Sequence, residues 1–304
     1  MSLADPPVQE EDFPAEDKTA LPRDSALPRA SRDVPPPRWW PAAWMLARRE
    51  WVRFFRQRNR VTAAIVQPLL FWVLFGLGMQ GAFETAGGLN FLEFFLPGTL
   101  ALILLFTAIF STISVIEDRR EGFMQSVLVA PVGRFPVLVG KVMGGSAIAW
   151  VQATVFLLLI YAFGTAPFVL GNVFPLLLLM ALVAVGMCSL GMIVAWPMES
   201  TQGFHAIMML FLMPMWLLAG TFFPIPAIDQ SWGGAILGGI MRANPLSYAI
   251  AEMRRLIYPS IASADLAFAP SAIVCWLVTV GSVAVLIVVA WLAMRGSRKA
   301  DVVV

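Results

Sequence analysis

The residues Ala272–Met294 read AIVCWLVTVGSVAVLIVVAWLAM, an apolar run without a charged side chain. A helix needs roughly 20 predominantly apolar residues to cross the hydrocarbon core of a bilayer, and this run has that length. Val61–Met79 reads VTAAIVQPLLFWVLFGLGM and has the same character. A soluble protein would have to bury several such helices in one small core, so these runs predict a protein that spans a membrane.

Composition extends this prediction to the whole chain. Of the 304 residues, 59% are hydrophobic and 13% are charged, whereas soluble domains are about half apolar and about a quarter charged. The predicted fold is an all-α polytopic membrane protein with six transmembrane helices, at 61–79, 95–116, 142–163, 173–196, 204–223 and 271–294. Residues 1–40 hold no apolar run, so the first span is expected to serve as its own insertion signal.

The distribution of Lys and Arg predicts the orientation. These residues gather before the first span, between the second and third spans, and after the last span: Arg48, Arg49, Arg53, Arg56, Arg58, Arg60, Arg119, Arg120, Arg134, Lys141, Arg295, Arg298 and Lys299. The segments on the other side carry Arg242, Arg254 and Arg255. Because cytoplasmic connections are enriched in Lys and Arg, both termini are predicted to be cytoplasmic, in a multi-pass protein of the plasma (inner) membrane.

The chain ends differ from the spans. Residues 1–38 are rich in Pro, Asp, Glu and Arg, which predicts a disordered cytoplasmic tail, and residues 297–304 form a short cytoplasmic end. Residues 39–60 predict an amphipathic helix in the membrane interface. Its aromatic and basic residues recur at three- and four-residue steps and include Trp44, Arg49, Trp51, Arg53 and Phe54. The alternative is a cytoplasmic extension of the first span whose arginines set the topology.

The segment 224–270 is long and partly apolar, yet Pro and Gly interrupt it. Irregular backbone is tolerated at membrane depth when protein shields it. Two half-helices that dip back from the outer surface would suit this pattern. A surface loop with one amphipathic helix is the alternative.

Several kinds of chemistry are missing from the spans. None carries an ionisable residue in its middle, which argues against ion-coupled transport. Gly140–Lys141 lacks the flanking Gly and Ser or Thr of a phosphate-binding loop, so any energy for transport must come from a partner. Cys188 and Cys275 fall in apolar helices and are expected to pack as small core residues, without a disulfide or a metal.

Ser146 and His205 leave an enzymatic alternative open, because a serine and a histidine near one membrane face could form an intramembrane protease. Gly and Ser at helix interfaces are, however, ordinary packing residues in lipid. A structural membrane subunit without transport activity is a second alternative.

The connection 117–141 combines dense mixed charge with a short amphipathic stretch that ends at Ala130–Pro131. A soluble partner can hold a helix of this kind in a groove. The alternative is a solvated loop whose arginines set the topology.

This connection resembles the coupling-helix signature of type-2 ABC-transporter permeases. The residues that fit are Glu117, Arg120, Glu121, Gly122, Ala130, Pro131, Val132, Gly140 and Lys141. Two further stretches resemble motifs of that family: Pro214 through Gly220 to Phe222–Phe223–Pro224, and Asn244–Pro245–Leu246–Ser247–Tyr248 with Arg254. The resemblance covers about 40–296, with 61–296 as the six-span permease domain. Phe123, Gln125 and Ala219 depart from it, and the first two weaken the expected acidic contact with the ATPase.

The resemblance implies a permease homodimer, or two paralogous chains, bound to two copies of a cytoplasmic ABC ATPase. The ATPase would bind ATP and Mg and hydrolyse ATP, so this chain is expected to be no enzyme, to carry no cofactor or metal, and to contact lipid but no nucleic acid. The most similar branch handles drugs and antibiotics. A lipophilic or amphipathic cargo is therefore expected, whether drug-like, lipid or lipid-linked glycan, and a polysaccharide or lipid-linked glycan exporter subunit is the alternative.

Candidate site residues fall into four sets beyond the interface helix. ATPase coupling is assigned to Glu117, Arg119, Arg120, Glu121, Gly122 and Pro131. A polar seam along the second span consists of Thr107, Ser111 and Ser114, with interhelical hydrogen bonding as the alternative. An aromatic gate consists of Phe211, Trp216, Phe222 and Phe223, with plain packing as the alternative. The outer motif consists of Asn244, Pro245, Tyr248 and Arg254.

Overall fold

The computed structural model describes residues 38–79, 90–124, 133–226, 232–259 and 268–296, and these residues form helices and loops without a strand. The tail before Arg38, Pro131 with most of the predicted coupling helix, and the end 297–304 lie outside the described residues. The helices are α1 Trp39–Arg56, α2 Arg58–Gly78, α3 Phe91–Ser111, α4 Ile113–Arg120, α5 Phe135–Ala162, α6 Leu170–Ala195, α7 Thr201–Trp216 with a π-helical turn Leu217–Thr221, α8 Trp232–Ala243, α9 Pro245–Ile257 and α10 Ala272–Gly296.

Five helical segments in the described residues are long and apolar enough to cross a membrane: Phe91–Arg120, Phe135–Ala162, Leu170–Ala195, Thr201–Thr221 and Ala272–Arg295. The prediction of an all-helical, multi-pass membrane protein is thereby confirmed. In the described residues the apolar helix Ile65–Gly78 of α2 is shorter than these five. The count of six spans therefore stays a prediction.

Helix α3 lies at the centre of the bundle. It packs against α2, α5 and α6, and nearly all side chains from Phe91 to Leu105 are buried. Helix α10 packs along α6 but leaves large apolar side chains such as Ile273, Leu277 and Val285 exposed. An apolar surface of this extent marks a face that lipid or another protein covers.

Helix α1 packs along α5 through small residues. A Cβ atom on Gly140 would lie 2.6 Å from the carbonyl oxygen of Ala43, and one on Gly144 would lie 2.9 Å from the Cβ of Glu50. Glycines spaced four residues apart allow two helix backbones to approach closely. Helix α5 also begins at Phe135, earlier than the predicted span at 142, because Lys141 is paired inside the protein and does not end the helix.

Two short helices, α8 and α9, occupy part of the segment for which the sequence predicted broken helices. Helix α9 packs against α3, α6, α10 and the π-helical turn. Two helices separated by Asn244 agree with a pair of half-helices better than with a loop that carries one helix. That they dip back from the outer surface stays a prediction.

Candidate functional site

A buried cluster of charges joins α1, α4 and the start of α5, at what we call the α1 end of the bundle. Lys141 on α5 is 3% exposed. Its ammonium group donates to Glu50 Oε1 at 2.6 Å, to Ser114 Oγ at 3.0 Å and to the Asp118 carboxylate. Asp118 is fully buried and Glu50 nearly so. One buried cation thus contacts two buried carboxylates.

Two arginines of α1 complete this cluster. Arg49 donates to both oxygens of Asp118, at 2.8 and 2.7 Å, and Arg53 bridges Asp118 at 3.3 Å and Glu117 at 2.6 Å. The paired hydrogen bonds to Asp118 raise the pKa of Arg49 above its ordinary value. Arg49, Glu50, Arg53, Glu117, Asp118 and Lys141, here called the ion-pair cluster, carry three charges of each sign. Because buried charges are tolerated only when paired, the cluster holds α1, α4 and α5 together.

Sequence reasoning identified this cluster only in part. It assigned Glu117 to contact with an ATPase, which stays a prediction, and the structure adds an ion pair with Arg53. It gave no role to Glu50 or Asp118, although Glu50 is the one acidic residue among the arginines of α1, a signal that could have marked it. It took Lys141 as a match to a family motif, without its role in the cluster.

The other predicted coupling residues lie nearby. Arg119 donates to the carbonyls of Trp196 and Met198, beyond the end of α6. Gly122 has a φ of +76°, so it turns the chain after α4 in a conformation that favours glycine. Arg120 and Glu121 are exposed, and the Glu117 side chain is 41% exposed, so a partner could reach all three.

The predicted interface residues of α1 divide between two faces. Phe54 is buried against the bundle, and Arg49 and Arg53 turn toward the ion-pair cluster. Trp44 is 55% exposed, and Trp51 is half-buried. The helix is therefore amphipathic, as predicted, with one face against α5 and an outer face rich in aromatic residues.

A cavity of about 340 Å³ lies between α2, α3, α5 and α7, and Glu50 and Arg53 of the ion-pair cluster line it too. The predicted polar seam, Thr107, Ser111 and Ser114, lines this cavity. Its hydroxyls are also hydrogen-bonded, since Ser111 donates to the carbonyl of Ala108 at 2.6 Å and Ser114 accepts from Lys141. Both interpretations of the seam therefore agree with the structure.

Gln152 is a further cavity residue, which the sequence reasoning did not select. Its Oε1 accepts a hydrogen bond of 2.8 Å from Thr107, which joins α5 to α3. The signal for Gln152 in the sequence was a single amide side chain within the apolar helix α5. The rest of the lining is mostly aromatic and sulfur-containing, with Phe71, Phe106 and Met213 among its members.

Two of the four predicted gate residues meet. Trp216 is buried, lines the cavity and donates to the carbonyl of Gly98 at 2.8 Å. Phe222 packs on Trp216 and on Phe95, with ring centroids 5.2 and 4.9 Å apart. Phe223 is half-buried just beyond, and Phe211 is 65% exposed on the outside of α7. The gate hypothesis therefore applies to Trp216 and Phe222, whereas Phe211 faces the surroundings of the protein.

The outer motif fixes the start of α9. Asn244 Oδ1 accepts from the backbone N–H of Leu246 at 3.0 Å, and its amide nitrogen donates to the carbonyl of Met215 at 2.6 Å. Pro245 occupies the first helical position, where its missing N–H costs nothing. Tyr248 packs edge-on against Phe268, with ring centroids 5.3 Å apart. The motif thus serves as a helix cap that also binds the end of α7.

Arg254 of the same motif joins α9 to the π-helical turn and to α3. It donates to the carbonyls of Gly220 at 3.0 Å and Phe94 at 3.4 Å, and its guanidinium lies 4.1 Å from the centroid of the Phe94 ring. Gly220 has a φ of +76°, which turns its carbonyl out of the helix. Burial lowers the pKa of Arg254 to about 10, so the side chain still carries its charge at neutral pH.

Ser146 and His205, the residues of the protease alternative, make separate contacts. Ser146 is buried and donates to the carbonyl of Met143 in its own helix. His205 is exposed, and its ring packs against Phe110, with centroids 4.7 Å apart. The described contacts of these two residues do not join them in a nucleophile–base pair. Cys188 and Cys275 are both buried, as expected for packing residues.

The described residues form a helical bundle with five candidate membrane spans, a lined cavity and a cluster of charges at one end. Residues 41–258 match the family model described as ABC-2 type transporter. The chain therefore belongs to the ABC-2 type transporter family, and the predicted type-2 ABC permease is confirmed.

Two relatives extend this assignment. The chain is 26% identical over 216 residues to the "Putative transport permease ycf38" of Cyanophora paradoxa, which covers 70% of this chain and 73% of that protein. It is 27% identical over 200 residues to the "Daunorubicin resistance ABC transporter permease protein DrrB1" of Streptomyces coeruleorubidus, which covers 64% of this chain and 67% of that protein.

Proposed function

We propose that this chain is the membrane-spanning subunit of an ATP-driven exporter for a lipophilic or amphipathic molecule. Family membership makes it a transport permease and implies association with an ABC ATPase. The cargo, the direction and the use of ATP are the proposal. The observation that carries it is the cavity between α2, α3, α5 and α7, because its lining includes residues of the ion-pair cluster.

The cavity suits a molecule with one polar and one apolar side. Thr107, Ser111 and Gln152 offer hydroxyl and amide groups, whereas Phe71, Phe106 and Met213 offer aromatic and polarisable surface. Its volume of about 340 Å³ lies at the lower end of the range for small-molecule sites, roughly 300–1,000 Å³. The similarity to a permease named for daunorubicin resistance supports a drug-like cargo.

Coupling to the ATPase would run through the α1 end. An ATPase that contacts the exposed Arg120 and Glu121 would move α4, and the ion-pair cluster would carry α1 and α5 with it. Glu50 and Arg53 line the cavity, so this movement would reshape the place where the cargo lies. A charged, rigid connection with two arrangements is the element that such coupling requires.

The opposite end of the cavity would form the exit. Trp216 and Phe222 pack together there, and Arg254 ties the adjacent π-helical turn to α9. Rearrangement of α9 would therefore loosen the aromatic pair. Gln67, Met209 and Met213 are exposed at the side of the cavity, and a second copy of the chain would cover them in a homodimer.

Purification of the tagged chain from its native membrane in mild detergent tests the partner directly. We expect mass spectrometry to find a stoichiometric cytoplasmic ABC ATPase, and Glu121→Lys and Arg120→Glu to remove it. Arg295→Glu is the matched control, since Arg295 is also an exposed arginine near a helix end. Recovery of abundant intact permease without any ATPase would remove the energy source from the proposal and favour a structural subunit.

A further inference from the structure

The outer face of α1 combines two features that lie beside the ATPase contact proposed at Glu121. The first is an apolar rim of exposed side chains, which includes Trp40, Trp44, Met45 and Phe55. The second is a groove of about 640 Å³ along the same helix, lined mainly by arginines and rimmed by Glu121. We call this the α1 groove.

The arginines of the α1 groove differ in how they are held. Arg49 and Arg53 are fixed by Asp118 and Glu117, so their positions are set before any ligand arrives. Arg48 and Arg56 are exposed on the groove, eight residues apart, which is about 12 Å along a helix. The carboxylates of Asp118 and Glu117 lie behind Arg49 and Arg53. Arg48 and Arg56 therefore provide the positive charge that a ligand would meet.

We infer that the α1 groove binds the headgroup of an anionic membrane phospholipid, whose acyl chains lie against the apolar rim. Charge complementarity favours an anionic ligand, because Arg48 and Arg56 carry positive charge against the single carboxylate of Glu121. The rim favours lipid over a free anion, since exposed tryptophan and phenylalanine beside arginine are the pattern of helices that lie in a bilayer interface. The inference stands apart from the transport proposal, because it concerns the permease without an ATPase.

Titration of the detergent-solubilised permease with phosphatidylglycerol, followed by native mass spectrometry, tests the inference. We expect wild-type protein to retain this lipid, to retain much less phosphatidylcholine, and to keep the bound lipid in an excess of inorganic phosphate. Each basic residue near an anionic lipid surface contributes about fivefold to binding. The double variant Arg48→Gln/Arg56→Gln is therefore expected to weaken retention about twenty-five-fold.

Arg295→Gln provides the matched control, since Arg295 is an exposed arginine beside an aromatic residue, with its guanidinium 3.5 Å from the centroid of Trp291. We expect this variant to retain the lipid as the wild type does. Equal losses in both variants would mean a nonspecific belt of lipid and would overturn the inference. Unchanged retention in the double variant, with loss of the co-purified ATPase, would assign the groove to the ATPase and overturn it as well. Displacement by inorganic phosphate would also contradict a lipid site.

Discussion

Lys141 is the buried cation of the ion-pair cluster. It contacts Glu50 and Asp118 at once, and all three side chains are buried. The cost of burying such a charge is offset only while its partners are present. A substitution here therefore acts through the carboxylates that stay behind.

Lys141→Met should destabilise the protein by about 3–5 kcal/mol, because it removes the hydrogen-bonded cation of buried Glu50 and one of the three cations that pair with buried Asp118. The measurement is thermal unfolding of the purified permease in detergent. Arg120→Met, at an exposed arginine of α4, should change the melting temperature little. Adding Glu50→Gln to Lys141→Met should recover part of the loss, because Arg49 and Arg53 then still balance Glu117 and Asp118. An unchanged melting temperature in Lys141→Met would contradict the role of the ion-pair cluster.

Arg254 offers a second test at the residue scale. Arg254→Lys keeps the charge, but an ammonium group lacks the planar guanidinium that lies over the Phe94 ring while its Nη2 donates to both carbonyls. We expect the free energy of unfolding, measured by thermal unfolding, to fall by about 1–3 kcal/mol, since buried carbonyls lose their donor. Arg255→Lys is the neighbouring control, and a lysine there can keep the ion pair with Glu252. Equal effects of both variants would refute a special role for Arg254.

At the scale of elements, the contact between α1 and α5 depends on the absence of side chains at Gly140 and Gly144. Gly140→Ala would place a Cβ atom 2.6 Å from a backbone oxygen of α1. Because neither backbone can give way locally, the two helices would have to separate. The same movement would stretch the ion pairs of Glu50 and Arg49.

Gly140→Ala should therefore destabilise the bundle by about 1–3 kcal/mol, as overpacking does, and should slow the formation of a disulfide between cysteines placed on α1 and α5. Gly281→Ala on α10 is the control, since a Cβ atom there meets nothing within 4 Å. Alanine at this site should be neutral or slightly stabilising. If both substitutions behave alike, close packing of α1 on α5 is not what holds the helix.

Much of the architecture follows from the sequence because apolar length is a local property. The long apolar runs predicted α3, α5, α6, α7 and α10, and alternating aromatic and basic residues predicted α1. The ion-pair cluster could not be derived in this way, because Lys141 meets a partner that lies 91 residues away in the chain. The ion pair of Glu117 with Arg53 and the π-helical turn at Gly220 likewise depend on contacts between elements that no local pattern encodes.

At the scale of the whole molecule, the cavity connects the ion-pair cluster to the aromatic pair Trp216 and Phe222. The hydrogen bond between Thr107 on α3 and Gln152 on α5 lies at the wall of this cavity. This bond joins two helices. Its two side chains either serve that purpose alone or also bind cargo. These two interpretations predict different consequences when both polar groups are removed together.

The double variant Thr107→Val/Gln152→Leu separates them. Replacing both partners of a hydrogen bond by apolar groups is nearly neutral for stability, so we expect a melting temperature close to that of the wild type. If the pair also binds cargo, transport of an amphipathic dye in vesicles should fall at least about tenfold, as expected for the loss of more than about 1.4 kcal/mol of binding. Wild-type transport in the double variant would leave the pair with a structural role alone.

Reconstitution is the most direct test of the central claim. The permease and the ATPase that co-purifies with it would be placed in proteoliposomes, and movement of an amphipathic fluorescent dye would be followed after addition of ATP and Mg. We predict dye transport that requires ATP, is reduced by Met213→Trp, which narrows the cavity, and is abolished by Glu121→Lys. Transport that proceeds without ATP, or that is unchanged when the cavity is narrowed, would contradict an ATP-driven exporter with its pathway between α2, α3, α5 and α7.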